Sequence, residues 1–208
     1  MSTTITTDII INHLKEMLIE RGDDIEEFNA QEADMDRDAF YNDNSLIEFN
    51  TSNTHIVFAL TQKLKEKVLG ELSKLTSNGI ANLVNRYNNK LNIIMIFNND
   101  NISTLTISQL NRYDNLLRRI GGTLQYFHMK NLMFNPTRHQ LVPRHIKMTN
   151  EEVTEMMGKY LIKNKIQLPY ILYSDPIAKW LGLKQGDVIK IERYNENSGL
   201  SYYYRVCV

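Results

Sequence analysis

The reading turns on Asn135 to Val208. The stretch opens with Arg138-His-Gln-Leu-Val-Pro-Arg-His145 and continues through Met148-Thr-Asn-Glu-Glu-Val-Thr154, Gln167-Leu-Pro169 and Ser174-Asp-Pro-Ile-Ala178. It closes with Leu181-Gly-Leu-Lys-Gln-Gly-Asp-Val-Ile-Lys-Ile-Glu-Arg193 and Tyr202-Tyr-Tyr-Arg-Val-Cys-Val208. Thr149 is an N-cap residue, and Glu152 three places on completes a capping box. Val153, Met156, Met157 and Tyr160 then form one apolar helical face. Gln167 to Tyr173 reads as extended, introduced by Pro169. Asp175 caps a short helix with Pro176 at its first position, where the missing N–H costs nothing. Ile177, Ala178, Trp180 and Leu181 fill that helix, and Gly182 ends it. Gly186-Asp187 is a tight turn into the strand Val188 to Ile191. Asn195 to Gly199 reads as a hairpin turn, and Ser201 to Val208 as the returning strand. The result is a small mixed α/β module.

These pieces, in this order, resemble the C-terminal domain of the fifth-largest subunit of eukaryotic nuclear RNA polymerases. In archaea the corresponding polymerase subunit is essentially that domain alone. The matching residues are His139-x-Leu-Val-Pro-x-His145, Thr149-x-Glu-Glu-Val-Thr154, Gln167-Leu-Pro169, Asp175-Pro-x-Ala178, Leu181-Gly-x-Lys-x-Gly186, Val188-x-Lys-Ile191, Ser198-Gly199 and Tyr204-Arg205. This sequence departs from the family at three places. Tyr170 stands where the family has an arginine, Gln185 at a usually basic position, and Tyr194-Asn-Glu-Asn197 in place of a Pro-Ser-Glu-Thr-type turn. The lost cations suggest a partner surface that has changed along with them.

A chain of 208 residues is long enough for one large or two small domains with a real core. Apolar content of 42% with 23% charged residues indicates a folded, globular chain. No apolar run reaches transmembrane length, and the N-terminus lacks the basic-then-apolar order of a signal peptide. One cysteine, Cys207, excludes an internal disulfide and a cysteine-rich zinc site, and fits a reducing compartment. The formal net charge of zero hides an asymmetry. Residues 1–50 carry 3 Lys or Arg against 13 Asp or Glu, and the remainder 21 against 11. An overall neutral chain is a poor independent nucleic-acid binder, because phosphate contacts dominate that affinity.

Residues 1–134 alternate strands and helices, which implies an α/β layer. We expect a helix capped by Thr7 or Asp8, running to Arg21 with Ile10, Leu14, Met17 and Leu18 inward and Gly22 after its end. Residues 23–44 read as an acidic solvated loop with one helical turn. Ser45–Asn50 and His55–Leu60 read as strands. Leu64, Val68, Leu72 and Leu75 give a helix, and Ile80–Tyr87 a second helix or the end of that one. Leu91–Phe97 is the most apolar strand and therefore central. Asn98–Ser103 is a polar loop. A helix starting at Thr106 or Ser108 carries Leu110, Leu116, Leu117 and Ile120, with Arg112, Arg118 and Arg119 exposed and Gly121-Gly122 breaking it. Thr123–Phe134 reads as a further strand region.

Signs of catalysis are few. His139 and His145 lie six apart around Pro143, so they do not share a helical face as metal-binding pairs do. No P-loop, GxGxxG, HExxH or GxSxG motif is present. Cys207 sits between valines and reads as packing. Tyr202-Tyr-Tyr204 could form a base-stacking platform, but on a strand the middle ring points away from its neighbours, which favours core-plus-surface packing.

We therefore expect an α/β plus α+β chain: a jaw-like N-terminal domain, residues 1–134, and a C-terminal polymerase-assembly domain, residues 135–208. The resemblance implies a non-catalytic subunit of a DNA-directed RNA polymerase, without cofactor or metal of its own. It implies docking on the largest subunit, with His139, Leu141, Val142, Pro143, His145, Gln167, Leu168, Pro169, Asp175, Pro176 and Arg205 as the docking surface or its scaffold, and Gly182, Gly186 and Gly199 as structural turns. The N-terminal domain would lie near downstream duplex DNA, with Asn98, Asn99, Asn101, Ser103 and Thr104 closest to it. The implied partners are polymerase subunits, not a membrane or a second copy. The implied location is the nucleus for a cellular chain. For a version encoded by a large DNA virus, compatible with the divergent jaw and the abundant asparagine, it is host cytoplasm or virion. Two rivals remain. One is a nuclease-like enzyme on the N-terminal layer, needing Glu48, an acidic neighbour and Lys63 or Lys65 to converge. The other is a stand-alone adaptor that has kept the polymerase-binding domain.

Overall fold

A computed structural model describes residues 3–35, 46–77, 87, 90–98, 102–197 and 199–208. The chain divides into two units, Met1–Phe134 and Asn135–Val208. Both mix helices with sheet.

The first unit is built on a four-stranded sheet of order β1-β2-β3-β4: β1 (Ile47–Asn50), β2 (Thr54–Ala59), β3 (Asn92–Phe97) and β4 (Thr123–His128). β1 is antiparallel to β2, while β2, β3 and β4 run parallel. Their crossovers hold α3 (Gln62–Ser77) and α4 (Thr104–Arg118). A parallel sheet covered by helices is apolar on both faces, which explains the unbroken apolar run of β3 and its interior place. On one face Val57, Ile93, Met95 and Leu124 pack with Leu64, Val68 and Leu72 of α3 and Leu110, Tyr113 and Leu117 of α4. On the other, α1 (Thr3–Glu20) is tied to the β4 side: Arg21 donates to Gln125 Oε1 (2.8 Å), and His13 Nδ1 donates to the Leu132 carbonyl (2.9 Å).

Several sequence expectations change here. α1 begins at Thr3, so Thr7 is a buried helical residue and not the cap. The acidic stretch holds a two-turn helix, α2 (Glu26–Ala33), instead of a single turn. Phe28 is its anchor, fully buried and stacked on Phe49 at 4.5 Å. α4 begins at Thr104, because Ser103 accepts the Thr106 N–H (3.2 Å) as its N-cap. Ile120 lies beyond the helix and is exposed, while Arg118 folds back onto Asp114 (2.7 Å) and is half-buried. β4 stops at His128, and a 3₁₀ turn, Met129–Leu132, follows where more strand was expected. The expected helix at 80–87 lies outside the described residues apart from Tyr87, as do positions 36–45 of the acidic stretch and its border.

The second unit has its own sheet of order β5-β7-β8-β6: β5 (Arg144–Lys147), β6 (Tyr170–Ile171), β7 (Val188–Asn195) and β8 (Gly199–Cys207). β7 and β8 form the antiparallel hairpin, and β6 joins β8 in parallel. Strand alternation separates two cores. Val188 and Val206 pack with Val153 and Met156 of α5 (Asn150–Lys159) and with Leu168. Ile189, Ile191 and Cys207 pack with Ala178 of α6 (Pro176–Trp180) and with Leu183. The capping box closes as expected: Glu152 N–H donates to Thr149 Oγ1 (3.2 Å), and Thr149 N–H to Glu152 Oε2 (2.8 Å). Asp175 Oδ1 accepts the Ile177 N–H (2.8 Å). Three corrections apply. Tyr160 is the exposed C-cap of α5 and not part of its buried face. The strand expected across 167–173 shrinks to two residues. Tyr202 and Tyr203 both stay about half exposed on opposite faces, so neither is core.

Candidate functional site

The residues marked by the motifs fall into scaffold and surface. Asn135 Oδ1 accepts the Thr137 N–H (2.9 Å) and hydroxyl (2.6 Å), capping a 3₁₀ turn, Pro136–Arg138. The chain then reverses through His139. Its carbonyl accepts the Val142 N–H (2.8 Å) and its Nδ1 the Leu141 N–H (3.2 Å). This double tie presents His139 and Leu141 to solvent, Leu141 with 84% of its surface free. Val142 and Pro143 are half-buried.

Gln167 uses its side chain internally: Oε1 accepts the N–H groups of Lys163 (2.9 Å) and Asn164 (3.2 Å). Leu168 is core. Pro169 is exposed and holds the end of β8, its carbonyl accepting the Val206 N–H (2.9 Å). Pro176 is exposed at the first turn of α6. Gly182, Gly186 and Gly199 all have positive φ, between 61° and 88°, where a side chain would be strained.

His145 lies close enough to Asp175 and Arg205 to sense their charges. His145 Nδ1 donates to the Pro143 carbonyl (2.6 Å), which places the neutral ring's proton on Nδ1. Burial lowers the His145 pKa. The Pro143 carbonyl and Asp175 oppose the shift, and Arg205 and Arg193 add to it. Arg205 Nη1 donates to the Tyr170 carbonyl (3.2 Å), so this cation braces β6. Sequence reasoning passed over Lys179 of α6, whose pKa burial pushes down to about 8. Its neighbours Ala178 and Trp180 are buried, and that apolar run was the available signal.

In the first unit, His128 Nδ1 donates to the Asn98 carbonyl (3.0 Å), Ser103 is committed to its cap, and Thr104 is exposed at the start of α4. Asn99 and Asn101 lie outside the described residues. A shallow surface dip lies beyond the ends of β2 and β3, lined by Ala59, Leu60, Thr61, Gln62, Lys65, Phe97 and Asn98. Among the described residues its lining includes a lysine but no carboxylate. Glu48 lies 3.7 Å from Nε2 of the fully buried His55, whose Nδ1 meets Asn50 Oδ1 at 2.7 Å. Among the described residues no three His, Cys, Asp or Glu side chains gather as a metal site. Among the described motif residues of the second unit, the arrangement is a braced surface.

Residues 134–207 match the family described as RNA polymerase Rpb5, C-terminal domain. The chain is 45% identical over 86 residues to the DNA-directed RNA polymerases I, II, and III subunit rpabc1 of Dictyostelium discoideum, covering 41% of this chain and 43% of that one. It is 44% identical over 85 residues to the subunit RPABC1 of Caenorhabditis elegans, covering 41% of this chain and 40% of that one. The matches thus span about two fifths of the curated relatives' length. They agree with the resemblance read from the motifs.

Proposed function

We propose that this chain is a non-catalytic subunit of a multisubunit DNA-directed RNA polymerase. Asn135–Val208 docks on the largest subunit, and residues 1–134 act as a jaw beside downstream duplex DNA. The observation that carries this reading is the residue-level match across 134–207. The sorting of the motif residues supports it. Asn135, Gln167, Leu168 and Asp175 hold turns and core, leaving His139, Leu141, Pro169 and Pro176 outward on a surface with little freedom to move. A preorganised surface loses little entropy on docking. The chain itself supplies no chemistry; catalysis and its magnesium belong to the large subunits. A cellular version works in the nucleus, and a viral one in host cytoplasm or virion.

Affinity purification of the tagged chain from its native source tests this. Recovery of the two large polymerase subunits in equal amounts, with RNA synthesis in a promoter-independent assay, is the expected result. Elution of the chain alone as a monomer overturns it and moves attention to nuclease activity at the first unit.

A further inference from the structure

The hairpin outruns its cover. β7 and β8 stay paired from Val188↔Val206 to Asn195↔Gly199, yet β5 reaches only Ile189 to Glu192 on β7, and β6 only Val206 and Cys207 on β8. A two-stranded ribbon is marginal alone in water. Here its far half leaves Tyr194 78%, Leu200 54%, Tyr202 46% and Tyr203 48% exposed.

The outer edge of β8 is the informative part. Cys207 N–H bonds back to Asp187, and Val206 N–H bonds outward to Pro169. Strand alternation therefore turns the N–H and C=O of Leu200, Tyr202 and Tyr204 outward as well. None of these groups bonds another described residue. Pro169 explains where the ladder stops: the Tyr204 carbonyl would next take the N–H of residue 169, and proline has none. The opposite edge, β5, is guarded by Pro143 before it and by the exposed Arg144 and Lys147. Leu200-Ser-Tyr-Tyr-Tyr204 carries no lysine and no proline, and its register has no bulge. Exposed edges normally carry such guards, so an unguarded one is suited to being covered.

We propose that the β8 edge from Leu200 to Tyr204 accepts an extended polypeptide segment of a neighbouring subunit as an added strand; the identity of that neighbour rests on the polymerase reading above. Donors and acceptors repeating about every 6.8 Å match another backbone in extended form. A nucleic acid has no such alternating line. Two of the tyrosine rings are also already engaged by cations, Tyr202 by Lys190 (5.3 Å) and Tyr203 by Arg193 (4.5 Å). Incoming side chains would lie beside Tyr202 and Tyr204 on one face and Tyr203 on the other.

Single-residue amide exchange, on the full chain free and assembled with the largest polymerase subunit of its own source, tests this. In the complex the Tyr202 and Tyr204 amides should slow by about tenfold or more, while Tyr203 and Arg205, already bonded to β7, are slow in both states. Tyr202→Pro should weaken assembly by about tenfold or more, and Tyr202→Thr, which keeps the N–H, by less. Unchanged exchange of the β5 and β7 amides checks that the proline variant is folded; if it is not, the wild-type exchange pattern decides. Assembly with Tyr202 and Tyr204 exchanging as in the free chain overturns strand addition and leaves the polymerase reading standing. Failure of the wild-type chain to assemble overturns both. The same alternating protection in a self-associated chain at high concentration, without the polymerase subunit, overturns the proposed neighbour in favour of a second copy.

Discussion

The two sheets of this chain differ in how they are covered. In the first, β2 is buried at every residue and β3 from Ile93 onward, with apolar side chains on both faces. Its edge strands are met by side chains: Gln31 Oε1 accepts the Asn50 N–H (2.7 Å) on β1, and Asp114 Oδ1 the Leu124 N–H (2.9 Å) on β4. In the second, burial on β7 fades after Ile191, and the hairpin continues with both faces wet. The difference follows from connectivity. Parallel neighbours need a long crossover, so each new strand brings a helix that covers the sheet. A hairpin needs only a local turn, so it can extend past whatever covers it.

The comparison breaks most sharply at paired leucines. Leu117→Ala should cost about 2–5 kcal/mol of unfolding free energy, because Leu117 is fully enclosed between α4 and the sheet. Leu200→Ala in the free chain should change stability by less than about 0.5 kcal/mol, as for an exposed site. Denaturant titration of both variants measures the contrast, and a large loss at Leu200 would show that the overhang is already packed in the free chain.

Gly122→Ala tests the tightness of the first sheet. A Cβ there would sit 2.3 Å from the Leu91 carbonyl oxygen, which also accepts the Thr123 N–H (3.1 Å). We expect a loss of about 1–3 kcal/mol, read by thermal melting.

Lys179→Met should raise stability at pH 7 by on the order of 2 kcal/mol, since burial disfavours the ammonium and moves its pKa from 10.5 to about 8. The sign follows from proton counting. Between pH 8 and 10.5 the unfolded chain holds more protons at this site, so the wild-type chain regains stability as pH rises, and the variant's advantage shrinks across that window. Parallel unfolding curves at pH 7 and 10 check it.

Thr149→Ala removes one arm of the capping box and should cost about 1 kcal/mol, with the midpoint of denaturation shifted and its slope unchanged. The smallest expected effect belongs to His145. Its pKa lies below the ordinary 6.5, so the unfolded chain binds the proton more readily and stability falls as pH drops through about 6.5. His145→Gln should flatten that acid-side slope, and an unchanged slope would place the titration elsewhere.

Much of the second unit was legible because its signals are local. Thr149 with Glu152, Asp175 with Pro176, and the positive-φ glycines act within three or four residues, so the order of residue types determines the outcome. The interior place of β3 was legible for a similar reason: a strand apolar on both faces has to be covered on both. The failures share the opposite cause. α2 appears within an acidic stretch because Phe28 finds Phe49, 21 positions on, and a sequence window cannot see that stack. The fold likewise sorts the residues expected on the docking surface or its scaffold, since Gln167 closes a loop and Leu168 fills a core.

The sequence alone determined the caps and tight turns of the second unit and the similarity to the C-terminal domain of RNA polymerase Rpb5, all of which depend on neighbours along the chain. Only the tertiary structure decided which edge was left open. The exposure of Tyr202 and Tyr203, the guard on β5 and the bare rim of β8 depend on how far strands distant in sequence extend beside one another, and strand overlap is a property of pairing, not of composition.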